Sequence, residues 1–301
     1  PTMLEIYKLI ARVARSSATV LIEGESGTGK ACVARQIHAS SARATRPFVA
    51  VNCAAIPENL LESVLFGHEK GAFTGAITRK FGRFEHAEGG TLFLDELADM
   101  SLSLQAKILR AVQEREVERV GSSEVVPVDV RLIGATNKDL RAAVEQGRFR
   151  EDLYYRLAVV TMRLPRLADR GDDLFLLTAC CVHEFSERHG KQINKVSSRV
   201  LELLFNHDWV GNVRELRNVV ERAVILANGD TLRSEHLPDD FRGEGIVAPS
   251  FAAGGDLTLA EAERRHIAFV LAQATGQISA AAQALGIHRN TLARKMKEYG
   301  L

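Results

Sequence analysis

Two short stretches of this chain hold residue types that handle phosphate. The first is Gly24-Glu25-Ser26-Gly27-Thr28-Gly29-Lys30, set between the apolar, β-branched run Thr19–Ile22 and a helical pattern that opens at Lys30. Strand, glycine-rich turn and helix in that order make a phosphate cradle. Glycines let backbone N–H groups turn inward, the helix N-terminus adds its dipole, and Lys30 offers a point charge to the β- and γ-phosphates of a nucleotide. Ala31 stands where such loops usually carry a serine or threonine, so a Mg²⁺ ion is expected to rely on water and other ligands. The second stretch, Thr91-Leu-Phe-Leu-Asp95-Glu96, is an apolar strand ending in two acids. Asp95 is the expected metal ligand and Glu96 the base that polarises an attacking water.

Weaker signals surround these two. Thr136 and Asn137 end the next apolar run, within reach of a γ-phosphate or the water, although Thr-Asn is also a common turn pair. Arg150 and Arg156 lie six residues apart and offer planar forks to phosphate oxygens, against the commoner fate of a surface ion pair.

Something must hold these groups together, and the pattern predicts what. Thr19–Ile22, Phe48–Val51, Thr91–Leu94, Val130–Ala135 and Val159–Leu164 read as buried strands, and Lys30–Ala39, Leu60–Phe66, Leu102–Glu114 and Lys138–Glu145 as helices. That alternation implies an α/β unit with a parallel sheet covered on both faces. After Pro165 the strand signal stops, and Asp172–His189, Ser197–Asn206 and Asn212–Ala227 predict a smaller helical subdomain. Gly243–Asp256, with four Gly, one Pro and three Ala in fourteen residues, reads as a flexible linker. The expected division is 1–165, 166–242, the linker 243–256, and 257–301.

Composition narrows the class. A chain of 301 residues with 46% hydrophobic and 26% charged residues is neither disordered, collagenous nor a disulfide scaffold. No apolar run is long enough to span a membrane, and Thr2–Ala18 is amphipathic and not a signal peptide. The four cysteines fit no metal or redox spacing and are expected to be reduced thiols in the cytoplasm. Since the first residue is Pro1, the chain is expected to be part of a longer one. Net charge is +1 overall, but from Ile278 to Leu301 the bases Arg289, Arg294, Lys295 and Lys297 face one acid, Glu298. There Ser279–Leu285, a turn at Gly286 and Thr291–Glu298 make a helix-turn-helix pattern behind the amphipathic Leu259–Thr275. Arg289, Asn290, Thr291, Arg294 and Lys295 are the expected DNA contacts, the alternative being a three-helix module with a solvated basic face.

The string Gly71-Ala72-Phe73-Thr74-Gly75-Ala76 (GAFTGA), preceded by Glu62-Ser-Val-Leu-Phe-Gly-His-Glu69, resembles one family over nearly the whole chain: the AAA+ activators of sigma-54 RNA polymerase, or bacterial enhancer-binding proteins. The resemblance implies that Gly24 to Ala31 bind ATP and that Asp95 and Glu96 drive hydrolysis. Asn52 would pair with the catalytic glutamate, Thr136 and Asn137 would act as sensor I, and Arg214 as sensor II on the lid. Arg150 and Arg156 would be arginine fingers reaching the adjacent subunit's ATP. It further implies a ring, hexameric or heptameric, assembled from dimers through the Leu259–Thr275 helix of a Fis-type DNA-binding domain. The partners would be enhancer DNA and sigma-54 holoenzyme, with no membrane. Val210 replaces the family's usual proline. GAFTGA would be the loop that meets sigma-54, with Phe73 on a mobile tip having nothing local to bury against and Arg119-Val-Gly121 supporting it. A protein unfoldase and a DNA-binding switch that holds ATP without turnover are the rival readings. An upstream regulatory domain is expected before Pro1, whether a phosphorylated receiver of a two-component system, a ligand sensor or neither.

Overall fold

Side chains on the central strands are buried on both faces, and this decides the architecture. The computed structural model describes residues 3–171, 173–242 and 289–299, with Ile267, Leu271, Ile278, Ala281 and Ala282. They fall in two compact units, 1–243 and 244–301. In chain order the first unit opens with α1 (Met3–Ala14), β1 (Val20–Glu23), α2 (Lys30–Ala39), β2 (Phe48–Asn52), α3 (Glu58–Phe66), β3 (Gly67–His68) and β4 (Lys80–Phe81). It continues through α4 (Arg83–His86), β5 (Thr91–Asp95), α5 (Leu102–Glu114), β6 (Glu116–Glu118), β7 (Val125–Pro127), β8 (Arg131–Thr136), α6 (Leu140–Glu145), α7 (Glu151–Leu157) and β9 (Val160–Arg163).

Five of these strands form one parallel sheet in the order β2-β5-β8-β1-β9. Val20, Ile22, Phe93, Ile133 and Ala135 face α1 and α2, where they meet Ile6, Ile10, Val33 and Ile37. The intervening Leu21, Leu92, Leu94 and Leu132 face the other way, onto Leu61, Leu65, Leu104, Ile108 and Leu153. Gly134 interrupts that second row for space, since a Cβ there would lie 2.3 Å from Leu97 Cδ1. Register aligns Asn52 with Asp95 and Glu23 with Thr136, so the polar residues gather at one end of the sheet. Ligands of open α/β sheets bind at that end, beyond the carboxyl ends of the strands.

The rest of the unit is helical. α8 (Asp173–Arg188), α9 (Ser198–Phe205), α10 (Asn212–Leu226) and α11 (Asp239–Arg242) enclose their own core around Trp209, Phe185 and Leu216, with one short parallel ribbon, Lys195–Val196 beside Thr231–Leu232. Trp209 is buried and donates its ring N–H to Leu204 O at 2.8 Å. Ser197 caps α9 by accepting from Val200 N, as its position before an apolar run predicts. In the second unit a helix spans Arg289–Tyr299, with Leu292 buried among Ile267, Ala281 and Ala282. The linker Gly243–Asp256 lies outside the described residues, as do most of the two helices expected before Arg289. No helix among the described residues is long and apolar enough to cross a membrane.

Candidate functional site

The phosphate loop leaves β1 and enters α2 through Gly29, whose φ of 102° only glycine adopts freely. Gly24 N still donates to Thr136 O at 3.2 Å, so the loop starts as a continuation of the sheet. Lys30, the first residue of α2, is buried, and its ammonium donates to Gly24 O (2.9 Å) and Glu25 O (3.3 Å). It also lies 3.6 Å from Glu96 Oε1. Three donors and three oxygens hold it in place. Glu96 follows β5 in left-handed backbone (φ 56°), a costly conformation for a glutamate that the surroundings must impose. Its second oxygen accepts from Asn137 N at 3.2 Å, and Asp95 Oδ1 accepts from Glu96 N at 3.1 Å. Thus Lys30, Asp95, Glu96, Thr136 and Asn137 do converge. Thr136 is fully buried and its hydroxyl accepts from Lys138 N at 3.0 Å. Below them burial pushes the Cys53 thiol up to about 12, helped by the negative charges of Asp95, Asp99 and Glu96.

Two cavities flank the loop. One of about 440 Å³ is lined by Gly24, Glu25, Asn137, Lys138, Arg163 and Arg166. The other, about 620 Å³, lies beside Thr28, Gly29 and Cys32 and is walled by Tyr7 of α1, Arg170 and Val213. One space therefore borders the start of the loop at Gly24 and Glu25, and the other its end at Thr28 and Gly29.

The lid grips the loop from outside. Arg214 donates to Ser26 Oγ at 2.9 Å. Two further contacts come from residues that sequence reasoning did not single out. Arg170 donates to Thr28 O at 2.6 Å from a site where burial lowers its pKa. Asn212 donates to Glu25 Oε2 and Ser26 O, both at 3.1 Å. The Gly211-Asn212 pair is a turn signal, but nothing local says which distant loop it meets.

Other expected members lie elsewhere. Asn52 spends its carboxamide oxygen on Ala54 N and Ala55 N, capping a short 3₁₀ turn, and does not pair with Glu96. Arg150 is clamped by Asp152 (2.7 Å), and Arg156 O accepts from Thr19 Oγ1 at the opposite end of β1 from Lys30. Neither arginine touches its own cradle.

The Gly71–Ala76 loop projects from the antiparallel ribbon of β3 and β4 and closes on itself, with Gly71 N bonded to Ala76 O at 2.8 Å. Phe73 does find a local partner, which corrects the sequence expectation: its ring meets that of His68 edge-on at 5.1 Å, leaving it 39% exposed. His68 in turn bonds Ser63 through Nδ1 at 2.7 Å. The turn after β6 packs against the loop, because a Cβ on Gly121 would sit 2.6 Å from Ala72 Cβ. Arg119 of that turn is buried in ion pairs with Glu85 (2.5 Å) and Glu69 (3.3 Å). On the C-terminal helix Arg289 and Arg294 are exposed and Thr291 and Lys295 half-buried, while the side chain of Asn290 lies outside the described set.

Comparison with known proteins decides among the readings. Residues 1–163 match the sigma-54 interaction domain, 168–250 the AAA+ ATPase lid domain and 258–299 the Fis family of bacterial regulatory proteins. The chain belongs to the sigma-54-dependent AAA+ transcriptional activators. This activator is an ATPase with a DNA-binding helix-turn-helix region. It is 50% identical over 296 residues to the transcriptional regulatory protein ZraR of Escherichia coli (strain K12), covering 98% of this chain and 67% of ZraR. To the regulatory protein AtoC of the same organism it is 48% identical over 307 residues, covering 100% and 67%. Crystal structures of NtrX from Brucella abortus in complex with ADP and with ATP superpose on the activator with TM-score 0.75 at 38% identity, over 99% of this chain and 68% of NtrX.

Proposed function

We propose that the activator hydrolyses Mg²⁺-ATP at Lys30, Asp95 and Glu96 and uses the cycle to move Gly71–Ala76 against sigma-54 holoenzyme on promoter DNA. The observation that carries this is the Lys30–Glu96 contact at the mouth of the loop, 3.6 Å between ammonium and carboxylate. When phosphate arrives, Lys30 turns to it and Glu96 is released to take a proton from water. Asn137 N, on the other oxygen, keeps the carboxylate aimed.

The donor set suits magnesium, a hard cation that takes one or two carboxylates and completes its shell with phosphate and water. Asp95, at the end of β5 beside Glu96, would be the protein's ligand, with phosphate and water completing the shell. Bound magnesium supplies charge neutralisation on the phosphates, and everything else falls to side chains. Arg214 leaves Ser26 for the phosphates as the lid closes. Arg150 and Arg156, which stand away from their own cradle, would serve a neighbour's in a ring of copies, the hexamer or heptamer assembled from dimers that the family resemblance implies. Arg289, Asn290, Thr291, Arg294 and Lys295 hold enhancer DNA. The setting is the cytoplasm, and control by an upstream receiver would make the activator half of a two-component system.

The test separates binding from turnover. Lys30→Ala should abolish ATP binding, whereas Glu96→Ala should bind ATP and lose turnover by about 10²- to 10⁴-fold, the range for general-base catalysis. Wild-type turnover in Glu96→Ala would remove the assignment of the base.

A further inference from the structure

Lys30 and Glu96 meet on the inner side of the phosphate loop. The outer side is governed by a residue with no assigned part in hydrolysis. Asn212 is fully buried and adopts left-handed backbone, φ 53°, where the lid helix α10 begins. Both ends of its carboxamide are bonded. Its carboxamide oxygen accepts from Leu167 N at 2.7 Å, just where the chain passes from the sheet to the lid. Its amide donates to Glu25 Oε2 and Ser26 O at 3.1 Å and to Val210 O at 3.4 Å. One side chain therefore joins hinge, lid and loop. The contact leaves no slack. A Cβ on Gly27 would lie 2.2 Å from Gly211 O, so loop and lid meet backbone to backbone beside it.

The planar peptide turns this outward grip into inward geometry. In a trans peptide the carbonyl and the following N–H point in opposite directions. An anchor on Ser26 O thus aims Gly27 N–H into the cradle, and the anchor of Arg170 on Thr28 O does the same for Gly29 N–H. We propose that Asn212 is a positioning residue that couples lid position to the phosphate loop, setting which way its N–H groups face without touching the nucleotide itself. The inference rests on the nucleotide site proposed above. It makes ATP affinity depend on the lid in part through the Asn212 amide, and reciprocally makes bound ATP fix the lid.

Asn212→Asp tests this. The substitution keeps the shape and the acceptor for Leu167 N but sets an oxygen against the Glu25 carboxylate and the Ser26 carbonyl. Affinity for ATP, read by titration with a fluorescent ATP analogue, should fall on the order of tenfold, a typical coupling. The turnover rate at saturating ATP should change much less. Adding Glu25→Gln restores a donor to the pair and should recover part of the affinity, a result that mere loss of packing does not produce. Glu25→Ala, on the exposed loop side, covers the case where Asn212→Asp does not fold, and should weaken ATP several-fold. Unchanged affinity in Asn212→Asp, a loss that Glu25→Gln leaves untouched, or unchanged affinity in Glu25→Ala would each overturn the coupling. Failure of the wild-type activator to bind the analogue would instead remove the nucleotide site itself.

Discussion

The phosphate loop and the Gly71–Ala76 loop are both glycine-bearing turns, yet they are held by opposite means. Around Gly27 there is no room, and the loop's carbonyls are bonded from the lid by Asn212 and Arg170. Around Gly71 and Gly75 a Cβ would meet nothing within 4 Å, and their φ values of 84° and 109° alone call for glycine. The first loop is fixed by partners more than 140 residues away in sequence. The second is tied to its own backbone, the short β3–β4 ribbon and the turn at Arg119. The lesson is separability. Changes in the cradle propagate through sheet and lid, while the projecting loop can be altered with the cradle left intact.

The largest expected effect concerns completion of the cradle by a second copy. Arg150→Ala or Arg156→Ala should reduce ATP turnover by about 10³- to 10⁵-fold, the worth of a trans-acting arginine finger. Mixing either variant with Lys30→Ala should restore part of the activity, because an intact finger then meets an intact cradle at some interfaces. Turnover assays across mixing ratios check this, and no recovery at any ratio would confine the arginines to their own subunit.

Much of the cradle was legible in the sequence and most of its support was not. The three central strands, buried on both faces, read as continuous apolar runs, and with the shorter apolar runs of β2 and β9 all five emerged within a residue or two of their ends. Asp95, Glu96, Thr136 and Asn137 could be placed because each sits at the end of such a run, and Lys30 because it closes the glycine-rich turn that follows one. The β3–β4 and β6–β7 ribbons, two or three residues per strand, are too short to show a period. The Asn212–Glu25 and Arg170–Thr28 contacts span most of the α/β unit, and no local pattern encodes them. His68 under Phe73 was missed for another reason. A small aromatic contact between a ribbon and its own loop leaves no mark on periodicity, and Phe73 was expected to stand free.

A medium-sized effect tests separability directly. Phe73→Ala removes a large, partly exposed apolar side chain without touching phosphate, metal or water. Burying a phenylalanine against a partner is worth roughly 1.5 to 3 kcal/mol, which weakens engagement by about 10- to 150-fold. ATP turnover should stay within a small factor of wild type, while promoter opening and the complex with sigma-54 trapped by ADP-aluminium fluoride are lost. A parallel loss of turnover would break the contrast between the two loops, placing Phe73 in the motor as well as at the contact.

The smallest effect sharpens the cradle's side of the contrast and needs no substitution. Cys32 is exposed, lies one residue beyond Ala31 in α2 and lines the cavity of about 620 Å³ beside Gly29. Cys53 lies beneath Asp95, and with its thiol pushed up to about 12 only about 10⁻⁴ of it is thiolate at pH 8, the form that reacts. Cys180, exposed on α8 and absent from that cavity's lining, is an internal reference. Brief alkylation with iodoacetamide followed by peptide mass mapping should label Cys32 and Cys180 and spare Cys53. Adding ATP should slow Cys32 labelling several-fold, because the nucleoside fills the space its thiol faces, and should leave the Cys180 rate unchanged. Equal slowing at both sites would mean that ATP tightens the molecule as a whole. An unaffected Cys32 would move the nucleoside out of this cavity, leaving Lys30 with its phosphates but the wall of Tyr7, Arg170 and Val213 without an occupant.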